Sequence, residues 1–168
     1  SREGLKKALQ RTGKASVTSS ASMRQLAIVM LARERNKDAI FLLNEAITGL
    51  NQSGISIGSV DLARTQKTLA SALIADNQFS QALKIYSDLD TTIKTYPDVG
   101  RFVDINSLDR VLALIRIGDL SQAESRARNF LGTTEKRTGQ KSKETADAKL
   151  MLATVLASQT KDDEARQL

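Results

Sequence analysis

An all-helical solenoid of antiparallel helix pairs is the fold class this sequence predicts. Three observations predict it. The first is a unit in which an apolar helical pattern meets a short polar turn and a second helical pattern starts at once. Leu69-Ala70-Ser71-Ala72-Leu73-Ile74-Ala75-Asp76-Asn77-Gln78-Phe79-Ser80-Gln81-Ala82 shows it most clearly, and the stretches 26–39, 112–123 and 152–165 match it. The second is the period. The small anchors Ala39, Ala82, Ala123 and Ala165 are separated by 43, 41 and 42 residues. One helix–turn–helix per period of this length marks a helical solenoid. The third is composition. A single proline and nine glycines in 168 residues leave helices uninterrupted, and 40% hydrophobic residues supply a continuous core.

In chain order, residues 2–10 form an amphipathic stretch with Leu5, Ala8 and Leu9 on one side. One period back from Ala39 falls just before residue 1, so residues 1–11 fit the tail of a preceding second helix. Residues 12–20 are rich in Ser, Thr and Gly and are expected as a loop. The whole chain, 1–168, is expected as one array with units at about 21–58, 59–98, 99–141 and 142–168. In the first unit, helix A is expected from Ala21 to Glu34, capped by Ser19, Ser20 or Ser22. Helix B follows from Lys37 to Leu50, and Gly54 and Gly58 mark a linker. In the second unit the helices are expected at 60–75 and 79–95, with Asn77 in the turn and Pro97 as the stop. The third begins between Val99 and Ile105, turns at Gly118 and continues from Leu120 to Arg137. The fourth starts at the cap Ser142 and is cut off at Leu168, three residues past its anchor. Termini inside a repeat at both ends are expected of a piece of a longer array.

These residues resemble the tetratricopeptide repeat. Ala82 followed four residues later by Tyr86, and the pairs Leu26-Ala27, Leu69-Ala70 and Leu152-Ala153, carry the resemblance. The third unit departs from it, with Arg110-Val111 in place of the pair. The common period is 34 residues; this chain is similar to the longer variety of kinesin light chains and bacterial multi-repeat proteins. Residues 135–139, 144–148 and 151–153 resemble the bacterial kind. The resemblance implies a right-handed superhelix whose A helices line a concave groove, and a non-enzymatic protein–protein interaction scaffold. Bacterial arrays of this kind are often fused to caspase-like proteases or signalling ATPases. A regulatory region of a larger enzyme is therefore the alternative.

Composition narrows the chemistry. The chain has no cysteine and no histidine. Disulfides, His/Cys zinc sites and Ser-His-Asp or Cys-His catalysis are excluded within it, and no catalytic residue, metal or cofactor is expected. No run of eighteen apolar residues is present, so no membrane span is expected. No compartment signal is present, and the cytoplasm is the default. The net charge of +6 is concentrated at one end: residues 1–37 carry nine basic and two acidic groups, the remaining residues sixteen and seventeen.

Several local patterns have bland explanations. Gly13-Lys14 lacks the flanking Gly and Ser/Thr of a phosphate loop, because Ala8 and Ala15 stand there. Asn51-Gln52-Ser53 is a short sequon, a pattern frequent by chance. Asp88, Asp90 and Asp98 suit a solvated helix face better than an acid/base pair. Arg126, Arg128, Lys136, Arg137, Lys141 and Lys143 are interleaved with Glu124, Glu135 and Glu144. The chain has only two tyrosines and four phenylalanines, so a nucleic-acid stripe is disfavoured.

The groove stripe follows from register. If Leu26, Ala27 and Met30 face helix B, then Arg24, Ile28 and Leu31 line the neighbouring face. The corresponding residues are Arg64, Lys67, Ser71 and Ile74, then Ile105, Leu108, Leu112 and Ile115 with Arg116 beside them, then Asp147, Leu150, Thr154 and Ala157. The peptide-binding candidates are Arg24, Ile28, Arg64, Lys67, Ser71, Leu108, Leu112 and Arg116. The repeat-packing candidates are Ala39, Ala82, Ala123 and Ala165. The expected partner is a protein or peptide of acidic character. The Asn of the chaperone-tail clamp is missing, since Ile28, Ser71, Leu112 and Thr154 occupy its position.

Overall fold

A computed structural model describes residues 17–159, and the described residues are helical with no strand. The helices are α1 (Val17–Ala32), α2 (Asn36–Gln52), α3 (Val60–Ala75), α4 (Phe79–Thr95), the single turn α5 (Pro97–Gly100), α6 (Leu108–Arg116), α7 (Leu120–Thr138) and α8 (Lys143–Ser158). The chain divides into two compact units, residues 1–105 and 106–168. In the first, α1 packs on α2, α2 on α3 and α3 on α4, and α1 also touches α3. In the second, α7 packs on both α6 and α8, and α6 touches α8.

One turn geometry joins the helices of each pair. After α1, α3 and α6 the chain places Glu34 (φ 58°), Asn77 (φ 60°) and Gly118 (φ 82°) in the left-handed region. The amide of the next residue then reaches back five positions: Arg35 N to Met30 O at 2.9 Å, Gln78 N to Leu73 O at 2.8 Å, Asp119 N to Leu114 O at 2.9 Å. The left-handed residues donate three positions back, to Leu31, Ile74 and Ile115. This is the Schellman closure, which satisfies the last carbonyls of the first helix while reversing the chain. The next helix opens at once. The amides of Ala39, Ala82 and Ala123 donate to Arg35, Gln78 and Asp119 at 3.1 Å each. The three alanines stand in the first turn of their helices and are completely buried. Their complete burial leaves no solvent-facing room for a larger side chain. Ala165 lies outside the described residues.

Side chains also tie one pair to the next element. Asn36 Nδ2 at the start of α2 donates to Ala75 O at the end of α3, 2.8 Å. Gln159 Nε2 after α8 donates to Leu120 O at the start of α7, 3.0 Å. The two junctions match, with donor and acceptor exchanged. They place α2 antiparallel beside α3, and α7 antiparallel beside α8. Asp119 caps α7 through Gln122 N at 3.1 Å, and Ser142 caps α8 through Thr145 N at 3.0 Å, the cap expected there.

Three boundaries differ from expectation. α1 already begins at Val17, so Ser19, Ser20 and Ser22 lie inside it and do not cap it. Ser20 is buried and donates to Ala46 O of α2 at 3.3 Å, which gives its hydroxyl a partner without a helix end. α1 also ends at Ala32, with Glu34 taken up in the turn. The third A helix begins at Leu108 rather than between Val99 and Ile105. Val99, Val103 and Ile105 join the core of the first unit with Tyr86, Leu89 and Leu73. Apolar residues after Pro97 therefore close the preceding core and do not open a new helix.

Two predictions follow from the turn. Ala82→Leu or Ala123→Leu overpacks the helix crossing and lowers stability by roughly 1–3 kcal/mol, measured by chemical denaturation. Glu34→Gly removes the strain of a side chain at positive φ and raises stability by about 0.5–1 kcal/mol. Asn77→Gly, already at a tolerant residue, gives less.

Candidate functional site

α3 shows how the open face of an A helix arises. Leu62, Ala63, Thr65, Leu69, Ala70, Ala72 and Leu73 are buried and cover slightly more than half of its circumference. Arg64, Lys67, Ser71 and Ile74 fall outside that arc, at helical spacing, and are half-buried. α1 repeats the arrangement, with Ala27 and Met30 buried, Arg24 half-buried and Ile28 45% exposed one turn on. Since α1 touches α3, and Arg24 and Lys67 hold equivalent places in the repeat, Arg24, Ile28, Arg64, Lys67 and Ser71 share one face of the first unit.

Ion pairs form elsewhere: Arg35 with Asp38 at 2.8 Å, Arg101 with Asp98 at 3.1 Å, Arg128 with Glu124 at 2.8 Å. Arg24, Arg64 and Lys67 have no such partner among the described residues. Arg24 Nε is itself buried and meets no hydrogen-bond acceptor among the described residues. A desolvated guanidinium donor without an acceptor costs free energy, and a carboxylate laid along the face would restore the missing bond.

In the second unit, Leu108 and Leu112 on α6 are 45% and 36% exposed, and Arg116 is exposed at the end of the same helix. Leu150 on α8, the repeat equivalent of Leu108, is 66% exposed. The register placed Leu150 in the groove stripe; its degree of exposure becomes visible only with α6 and α8 in contact. Ile105 leaves the stripe, since it is 8% exposed and packs in the core of the first unit. The third-unit residues Leu108 and Leu112 are thus open apolar surface.

Among the described residues no three of Asp, Glu, His and Cys are placed to hold a metal ion. Asp98 is tied to Arg101 and Arg128 to Glu124, so the acidic trio and the basic stripe are both broken by local pairing. A cleft of about 350 Å³ between α2 and α4 has Leu69 and Leu73 lining it, with Asn44, Gln81 and Lys84. It offers amides and one ammonium, but no carboxylate to act as a base. No helix among the described residues is long and apolar enough to cross a membrane.

Helix pairs of this kind occur in the crystal structure of nearly identical TPR-like repeats from a candidate kinesin light chain of Podosopora anserina. The match has a TM-score of 0.77 at 16% sequence identity and covers 95% of this chain and 76% of that one. The fold is that of TPR-like repeats. No protein-family model and no curated protein matches the sequence. Within TPR-like repeats α1, α3, α6 and α8 are the A helices, and α2, α4 and α7 the B helices. The long period read from the anchor alanines belongs to the same architecture.

Arg24 is therefore the residue to test for a binding role set against stability. Arg24→Met keeps the aliphatic stem and removes the orphaned donor, so the melting temperature stays level or rises. A loss of about 1 kcal/mol or more, the size of a broken hydrogen bond to a charged group, would show that the guanidinium is satisfied within the folded chain.

Proposed function

We propose that this chain is a non-enzymatic protein–protein interaction scaffold, one array of four TPR-like repeats whose A-helix faces bind a partner protein or peptide. The partner carries carboxylates beside an apolar side chain. The observation that supports this reading is the face of the first unit, where Arg24, Arg64 and Lys67 form no ion pair and Arg24 Nε meets no acceptor among the described residues. Arginine holds a carboxylate through two parallel hydrogen bonds, and lysine adds a mobile point charge. Ser71 supplies a hydroxyl and Ile28 an exposed apolar surface on the same face. Leu108, Leu112 and Arg116 give the second unit an apolar contact with a cation at its edge.

Exposed ion pairs are worth only about 0.2–1 kcal/mol each, so the cations set specificity and the apolar contacts carry most of the affinity. Salt dependence is therefore shallow. The test uses a labelled peptide with one aromatic or aliphatic residue flanked by aspartates, followed by fluorescence anisotropy. The expected result is binding that weakens roughly tenfold or more in the Arg64→Glu/Lys67→Glu variant while the helical circular dichroism is unchanged. Between 50 and 200 mM salt the affinity falls by less than about tenfold. Mixed-sequence single-stranded nucleic acid is the competing probe. Tight binding of it, with a loss of roughly a thousandfold over the same salt range, would replace the peptide reading with a phosphate-backbone one.

A further inference from the structure

A cleft opens on the side of the first unit away from the Arg24–Arg64–Lys67 face. α2 and α4 both pack on α3, and the space of about 350 Å³ between them is lined by residues of all three helices. Each helix contributes a pair one turn apart: Ile40 and Asn44 from α2, Leu69 and Leu73 from α3, Gln81 and Ile85 from α4, with Lys84 beside the last. Lys67 and Ser71 each stand two residues from Leu69, and two residues turn a helix by about 200°. The cleft and the cationic face therefore lie on opposite sides of α3.

The lining is apolar at the bottom and polar at the rim. Leu69 and Leu73 are buried, Ile40 and Ile85 are half-buried, and Asn44, Gln81 and Lys84 are exposed. The rim groups have hydrogen-bonding capacity to spare. Asn44 Nδ2 donates to Ile40 O of its own helix at 3.0 Å, which leaves Oδ1 to accept. Gln78, also in the lining, has its Nε2 committed to Asp76 Oδ2 at 2.7 Å. Gln81 and Lys84 make no hydrogen bond or ion pair among the described residues. The lining holds one cation and no carboxylate, so an anion entering it meets no like charge. An acceptor, an open amide, an ammonium and a bed of aliphatic side chains thus meet at one opening.

We propose that this cleft binds the C-terminal residue of a partner chain, an aliphatic one such as leucine. Three groups radiate from the Cα of such a chain end: an N–H, a side chain and a carboxylate. The side chain fits the bottom, where Leu69, Leu73, Ile40 and Ile85 exclude water and supply dispersion contacts. Asn44 Oδ1 accepts from the N–H, Gln81 gives its amide to the preceding carbonyl, and Lys84 meets the carboxylate as a point charge. An internal aliphatic residue brings the N–H and the anchor but no charge for Lys84. An aspartate or glutamate side chain brings the charge but no aliphatic anchor from the same residue. The cleft shares no residue with the Arg24–Arg64–Lys67 face, so the two assignments stand or fall separately.

The probe is a short peptide of glycine and serine ending in a single leucine, made once with a free C-terminus and once as the C-terminal amide. Its binding to the full chain is followed by magnetic resonance through the side-chain amide signals of Asn44 and Gln81. The expected result is a saturable shift of both signals. Affinity falls roughly tenfold or more when the last residue is glycine, and roughly two- to fivefold on amidation. Lys84→Gln costs the free-acid peptide the same factor and leaves the amide peptide unaffected, the coupling that a direct charge contact requires. Gln81→Trp, at an exposed position, fills the cleft and abolishes the shift at Asn44 while the helical circular dichroism is unchanged. No saturable shift, equal affinity for acid and amide, or an amidation effect that survives in Lys84→Gln would overturn the proposal. So would binding that Arg64→Glu/Lys67→Glu abolishes and Gln81→Trp retains, which would move the peptide to the opposite side of α3.

Discussion

The structure depends on a three-residue reversal followed directly by a fully buried alanine. The reversal needs one residue in the left-handed region, and the alanine needs no volume at the crossing. Together they bring the end of each A helix within contact of the first turn of its B helix. Without the left-handed residue the last carbonyls of the A helix would be buried without donors. Without the small residue the helices could not cross closely enough for Leu43 or Tyr86, one turn further on, to be fully buried. The three turns solve the first problem with three different residues, glutamate, asparagine and glycine, and the second always with alanine. The packing constraint is therefore stricter than the backbone one, because a cavity of fixed size admits one side chain while the left-handed region only penalises most of them.

That difference explains which parts of the fold were legible in the sequence. The anchor alanines and the turns at Asn77 and Gly118 could be located because they repeat. The turn at Glu34 could not, since glutamate carries no signal for positive φ and reads as one more helical residue. The start of α1 was hidden for a related reason. Its serines resemble caps, and only the nearby carbonyl of Ala46 shows that Ser20 is satisfied from another helix. Val99, Val103 and Ile105 are apolar at a spacing that suits either a new helix or a core plug, and only the tertiary contacts separate the two.

The candidate site divides along the same line. Register alone placed Arg24, Arg64, Lys67 and Ser71 on the open face, since once Ala27 and Ala70 are set against their B helices the neighbouring stripes are fixed. Sequence could not show that these cations lack partners, because acidic residues are plentiful in the chain and pairing depends on which carboxylates fall within reach. Nor could it show that Arg24 Nε is enclosed. For Leu108 and Leu112 the pattern pointed more strongly to inter-repeat core than to surface. Their exposure follows from how α6 meets α7 and α8, which no property of the stripe itself reveals.

An A helix in an array of this kind has three sides to satisfy: its own B helix, the next A helix and the preceding B helix. On α3 just under half of the circumference is left open. Polar or charged groups collect there because every other position is committed to packing. On α3 this is the arc of Arg64, Lys67 and Ser71. The A-helix recognition proposed for this chain falls on that arc by subtraction, and the identity of a few residues on it can change without disturbing the solenoid that holds them.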